Sequence, residues 1–260
     1  VKQPWLLLSL ALVIVILIAP LLAPYDPMAT NPGEALQPPG AGHLLGTDAL
    51  GRDVLSRVLH GGQRTLYTAA LATVVALLPG VGMGMLAAAA GGRIDAALLA
   101  VINAWLAFPA LLLALVVVTL LGVGLQQVAL ATGAALIPQV ARVARTAAIE
   151  VQALPFVSAG RAAGGTGWWV MTRHVLPNAA PAIAAYAGVT FAYAVLNSAA
   201  LSFLGLAGDL GVPDWGAMLY EARVTFRAAP WVSIAPGLAI TCLVYTANRA
   251  ADRLIETRQW

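Results

Sequence analysis

The residues able to do chemistry are few and scattered. His43, His60 and His174 are the only histidines, and they share no metal-ligand spacing. Cys242 is the single cysteine, so neither an internal disulfide nor a thiolate cluster is available; in an apolar run it reads as a small packed residue. Lys2 is the only lysine, and no Gly-x-x-x-x-Gly-Lys-Ser/Thr run occurs, which excludes a P-loop ATPase. Serine-hydrolase and zinc-protease signatures are absent too. Gly80, Gly82 and Gly84 alternate as in a nucleotide fingerprint, but they sit inside an apolar run with no strand before them. Close helix packing through small residues explains them better.

Two polar constellations remain. Asp48, Arg52 and Asp53 can form local ion pairs and cap a helix N-terminus. The second, Ser158–Asn178, joins two apolar stretches. It carries Arg161 and Arg173, a break at Gly164, Gly165 and Gly167, and the pair Trp168 and Trp169. This pattern predicts a helix, a glycine turn and a second, partly apolar helix. Such a pair fits either a groove in another protein or the headgroup belt of a bilayer.

The elements that position these residues are membrane helices. The chain is 60% hydrophobic and 10% charged, against about 25% charged in a soluble domain. Its mean hydropathy is +0.85. About six spans are expected, each near the roughly 20 residues that cross a bilayer core: Trp5–Leu22, Leu66–Ala88, Ala97–Leu121, Leu125–Ala141, Ala180–Leu201 and Trp231–Asn248. Gln126, Gln127, Pro138 and Gln139 interrupt the fourth. The first is longer than a signal-peptide core and is read as a retained helix.

With the N-terminus inside, nine basic residues fall on cytoplasmic pieces and five on outer ones, as the positive-inside rule requires. The C-terminus is then cytoplasmic too, and so is Ser158–Asn178. Residues 23–65 and Ser202–Pro230 become the outer segments, long enough to imply work to do. The whole chain, 1–260, reads as one transmembrane domain: first helix 1–22, outer segment 23–65, and core helices 66–260. No ionisable group lies near the centre of a span, which counts against ion-coupled carriers and pumps. The polar span residues, Asn103, Asn197 and Ser198 among them, fit helix–helix hydrogen bonds or a pathway. Nothing in the sequence points to nucleic acid.

Ser158–Asn178 resembles the "EAA" coupling loop of ABC importer permeases, with Gly164 and Leu176-Pro177-Asn178 in the matching places. A longer match runs from His43 to Arg57, through Leu45-Gly46-Thr47-Asp48, Gly51-Arg52-Asp53 and Ser56-Arg57. It resembles the signature before the second helix of dipeptide/oligopeptide/nickel permeases, in their second-permease (C-type) branch. Ala107-Phe108-Pro109, Ala200–Leu206, Asp214-Trp215-Gly216 and Ala229-Pro230-Trp231 fall in the same family's order.

The resemblance implies an all-α type I permease with a cytoplasmic helix-turn-helix coupling loop over residues 155–178. It further implies a second homologous permease, two cytoplasmic ATPases carrying ATP and Mg, and an extracytoplasmic binding protein in a prokaryotic inner membrane. No cofactor is implied on this chain. ATPase contact would fall on Ser158, Ala159, Gly160, Arg161, Gly164, Trp168, Trp169 and Pro177. Asn103, Phe108, Pro109, Asn197 and Ser198 would line the pathway or pack helices, and Asp214 and Trp215 would meet the binding protein or fold their loop. The substrate would be a di- or oligopeptide; nickel or a metal chelate is the alternative, and a stand-alone channel or secondary carrier the rival of another class. Ser158, Asn103 and Ser198 stand where relatives often carry acids.

Overall fold

A computed structural model describes residues 11, 13–209 and 211–256. Among them there is no strand, only an isolated bridge between Thr47 and Asp53. The first expected span, Trp5–Leu22, lies partly outside the described residues; 13–17 and Ala19–Leu22 are helical.

Among the described residues, nine helices from Val54 onward carry the fold. Helix α1 (Val54–Ala90) starts well before the expected Leu66. Asp53 caps it, accepting from Ser56 N, and this fixes the start at the first polar turn. Next come α2 (Gly92–Leu106) and α3 (Ala110–Leu121), then α4 (Leu125–Gln152). Two short helices, α5 (Pro155–Ala162) and α6 (Gly167–Val170), lead through a π turn, Met171–Val175, into α7 (Leu176–Phe203). Helices α8 (Trp215–Ala222) and α9 (Trp231–Glu256) complete the chain.

Among the described residues, three stretches are long and apolar enough to cross a membrane: α1, the continuous rod Gly167–Phe203, and Trp231–Asp252. The expected third span is not one straight helix. Helices α2 and α3 meet at a bend of 86°, a broken span or a re-entrant loop. Pro109 is the physical cause: it offers no N–H, and it pushes Phe108 away from helical backbone. The stretch expected as the fourth span is one helix, α4, which runs on through Pro138 and is not among those apolar enough to cross. Its polar residues keep it out of the apolar class, yet Val128, Thr132, Leu136 and Val140 are buried in the bundle, where a helix need not be apolar on every side.

The core is built from small residues. Ala69, Ala72 and Ala76 of α1 meet Leu136 and Val140 of α4, Ala194 and Val195 of α7, and Ile240 and Leu243 of α9. Two of the alternating glycines serve that crossing. A Cβ on Gly80 would stand 2.7 Å from Cβ of Val140, and one on Gly84 would collide with the Ala141 carbonyl. Gly82 points elsewhere, with nothing within 4 Å. Gly133 answers from α4, its absent Cβ facing the Ala72 carbonyl at 2.6 Å. The glycines are packing devices, since no larger residue lets α1 and α4 approach this closely.

Candidate functional site

The first site is the bridge, 155–178. Pro155 starts α5, and the chain turns at Gly164, whose φ of 91° suits a residue without a Cβ. Thr166 Oγ1 then accepts from Trp169 N and caps α6. One face of the bridge is held down. Val157, Val170, Met171 and Val175 are buried against Met85 and Ala88 of α1 and Ala147, Ala148 and Val151 of α4. The other face is open: Ser158, Ala159, Arg161, Trp168, Trp169 and Pro177 are exposed, and Gly160 is half-buried. Ser158 donates to the Pro155 carbonyl, and Arg161 reaches Gln152.

His174 was not singled out by sequence, yet it sits under the turn. Its ring meets Trp169 edge-on at 4.8 Å and lies 6.2 Å from Phe156. It therefore ties α5 to the π turn, a contact that spacing along the chain could not show.

The second site is the stretch around Asp48, and every member of its motif has a structural task. Thr47 Oγ1 accepts from Gln37 N and donates to the Glu34 carbonyl; its own carbonyl accepts from Trp231 Nε1. Gly51, at φ 72°, faces the Asn31 carbonyl where a Cβ would collide, and Gly46 lies against Trp231. Asp48 Oδ2 accepts from Arg52 Nε at 2.7 Å.

That pair belongs to a larger cluster. Glu221 Oε2 accepts from Arg52 Nη2 at 2.5 Å and from Arg57 Nη2 at 2.9 Å, while its Oε1 accepts from Gly211 N. Arg57, with a side chain only 1% exposed, also donates to the Gly211 carbonyl. The cluster fastens the segment before α1, the first turn of α1 and α8 together. Arg57 and Glu221 were not among the expected site residues.

His43 makes a pH-sensitive strap in the same segment. Its Nδ1 lies 2.9 Å from Asp53 Oδ1, and its Nε2 lies 3.5 Å from Glu34. The hydrogen bond to Asp53 raises the imidazole above its ordinary 6.5; burial opposes this, and Glu34 adds to the rise. Asp26 and Tyr25 border the same depression. A raised folded value means the contribution is fully present below the ordinary value and is lost as pH rises through the folded one. The melting-temperature gap between wild type and His43→Gln is therefore expected to be widest below the ordinary 6.5 and to shrink as pH rises past it through the raised folded value. A gap independent of pH would refute the strap.

Asp214 and Trp215 are placed inward, 4% and 2% exposed, not toward an outside partner. Asp214 caps α8 through Gly216 N and Ala217 N and accepts from Thr65 Oγ1 of α1. Burial pushes its carboxyl above the ordinary range, and these hydrogen bonds pull the other way. Trp215 Nε1 donates to the Val58 carbonyl. Both residues join α8 to α1.

The candidate pathway residues have the following surroundings. Asn103 accepts from Arg142 Nη2 at 2.7 Å, linking α2 to α4. Phe108 and Pro109 stand exposed at the 86° bend. Ser198 is buried and donates to the Val195 carbonyl, while Asn197 is half-buried.

The cluster lies at the first turn of α1 and the bed of the bridge at Met85 and Ala88, some thirty residues on. At 1.5 Å per residue they stand about 45 Å apart, more than the roughly 30 Å of a bilayer core.

A helical membrane subunit with one tethered polar segment before α1 and one exposed aromatic bridge is the class this architecture defines. Residues 80–257 match the family described as "binding-protein-dependent transport system inner membrane component". A dipeptide transport system permease protein of Alkalihalophilus pseudofirmus is 34% identical over 249 residues, covering 96% of this chain and 82% of the relative. A di/tripeptide transport system permease protein of Pseudomonas aeruginosa is 37% identical, with 96% and 84% covered. A glutathione transport system permease protein of Pectobacterium atrosepticum is 34% identical, with 95% and 83% covered. Among solved structures, an inward-facing MetNI methionine ABC transporter shares the fold, with a TM-score of 0.66 at 20% identity over 77% of this chain and 95% of that one.

The chain belongs to the binding-protein-dependent transport system inner membrane component family. It is a membrane-spanning permease subunit of an ABC importer and not a catalytic one, ATP hydrolysis belonging to separate subunits. A stand-alone carrier or channel is set aside.

Proposed function

We propose that this permease forms half of the path for di- or oligopeptides, beside a second homologous permease. A peptide-binding protein delivers from outside, and two cytoplasmic ATPases, carrying ATP and Mg, drive the cycle. The names of the relatives support the substrate class: dipeptide, di/tripeptide and glutathione, all peptides. They do not favour nickel. Both termini and the bridge face the cytoplasm in this reading, supported by the nine-to-five split of basic residues.

The observation that carries the coupling role is the continuous helical rod from Gly167 to Phe203. Its first turn belongs to the exposed bridge, and its far end packs in the core against α1 and α9. An ATPase cleft would receive α5 and the glycine turn, meeting Ser158, Ala159, Gly160, Arg161, Gly164 and Trp169, with Pro177 starting the helix behind them. A push there moves the rod and biases a two-state bundle. Ser158 in place of an acid removes one ion pair from that contact but leaves its apolar part. The outer surface tied by the Arg52–Arg57–Glu221 cluster faces the binding protein, with Asp214 and Trp215 fixing its shape from beneath.

Uptake into vesicles containing both permeases and the ATPases tests the substrate. Labelled di- and tripeptides are expected to accumulate only with ATP inside and loaded binding protein outside. Nickel uptake at a comparable rate, with no peptide uptake, would overturn the assignment.

A further inference from the structure

The two bridge tryptophans meet different surroundings. Trp169 leans over the glycine turn, bordering a depression with Gly160, Gly164 and Thr166 and packing on His174. Trp168, 78% exposed, borders a separate apolar groove of ≈ 630 Å³ on the other side. Its walls are Val81, Met85 and Leu86 of α1, then Trp168, Met171 and Leu176.

We propose that this groove holds one acyl chain of an anionic membrane phospholipid, with Trp168 at its mouth.

Four observations lead there. The groove asks for no polar ligand: its one side-chain hydroxyl, Thr172 Oγ1, already donates to the Trp168 carbonyl at 2.9 Å. Its size suits a chain of methylenes, whereas three turns of a helix 10–12 Å wide would need roughly 1,500 Å³.

Its walls also continue a lipid-facing stripe. Val74, Leu78, Gly82 and Leu86 recur every four residues on α1, with Leu78 73% exposed and nothing within 4 Å of the Cβ position of Gly82. On a helix apolar enough to cross a bilayer, this stripe leads acyl chains into the groove. Finally, Arg93 stands three residues past the groove residue Ala90 and Arg173 is next to Thr172, both exposed, so cations border the groove along the chain. The bound lipid would brace the Trp168 side of the bridge against α1 and leave the Trp169 side free. This inference needs α1 to span the bilayer; it does not depend on the substrate.

The test uses the assembled transporter in nanodiscs, in a Cys242→Ala background. A bimane reporter is placed by Leu86→Cys in the groove or by Leu78→Cys on the stripe, and quenching by nitroxide-labelled phosphatidylglycerol is measured. At Leu86→Cys, quenching is expected to saturate at a several-fold lower lipid fraction than at Leu78→Cys. Gly82→Leu, which has room for its side chain, should abolish early saturation at Leu86→Cys and leave Leu78→Cys unchanged. The same gradual dependence at both positions would overturn the site in favour of bulk lipid. Absence of quenching at Leu86→Cys would overturn it in favour of a protein partner. Equal early saturation by phosphatidylcholine would overturn the anionic assignment.

Discussion

Glu221→Gln is expected to destabilise the protein by about 3 kcal/mol. The neutral amide keeps the size of the side chain and removes the charge on which two guanidinium groups converge. Arg52 and Arg57 would then share Asp48 alone, which Arg57 Nε reaches only at 3.6 Å. Glu221 is itself partly exposed, so water offsets some of the loss, which places the estimate at the low end of the usual range for breaking a buried pair. At this chain length the loss corresponds to a melting temperature lower by roughly 10 °C. Replacing both charges, Arg57→Met with Glu221→Met, should recover much of it, because no uncompensated charge is then left behind. A single-variant drop below about 2 °C would show that the cluster is solvated and fastens nothing.

Gly84→Ala should cost about 1–3 kcal/mol although it adds only a methyl group. That methyl would meet the Ala141 carbonyl, Arg145 N at 2.7 Å and Ala144 Cβ at 2.8 Å, all of them backbone or the stub of a side chain on α4. None can swing away, so α1 and α4 must separate. The separation lands where it matters, since Met85 and Ala88 of α1 and Ala147, Ala148 and Val151 of α4 form the bed of the bridge. Gly82→Ala, two residues away with open space around it, is the control. It should be neutral or stabilise by about 0.5–1 kcal/mol, as alanine does in a helix. Thermal unfolding of the two variants side by side decides the matter, and equal effects would disprove the close crossing.

The sequence made some of this legible, for local reasons. Asp53 reads as a helix cap because it precedes an apolar run, and Asp48 with Arg52 reads as a pair because they stand four apart. Glu221 is 169 positions from Arg52, and nothing nearby marks it as their partner. The bend at Ala107-Phe108-Pro109 was hidden for another reason: hydropathy sums along a chain whatever direction the chain takes, so two short helices read as one span. Asp214 and Trp215 sit in a Gly- and Pro-rich loop that looks outward-facing, and only their contacts with Thr65 and Val58, far back in the chain, turn them in. The bridge was legible as helix, turn and helix. Which tryptophan meets what was not, because that depends on the last turns of α1.

The central claim is that the bridge couples ATP hydrolysis to the membrane helices. Gly164→Pro tests it most directly, because proline cannot adopt the positive φ of the turn and removes the N–H that Gly164 donates to the Arg161 carbonyl. In the purified assembly in lipid, peptide-loaded binding protein is expected to stimulate ATP hydrolysis by the wild type. The variant should lose that stimulation while its ATPases still bind nucleotide. Normal stimulation in the variant would contradict the account and leave the bridge as a helix resting on the membrane surface.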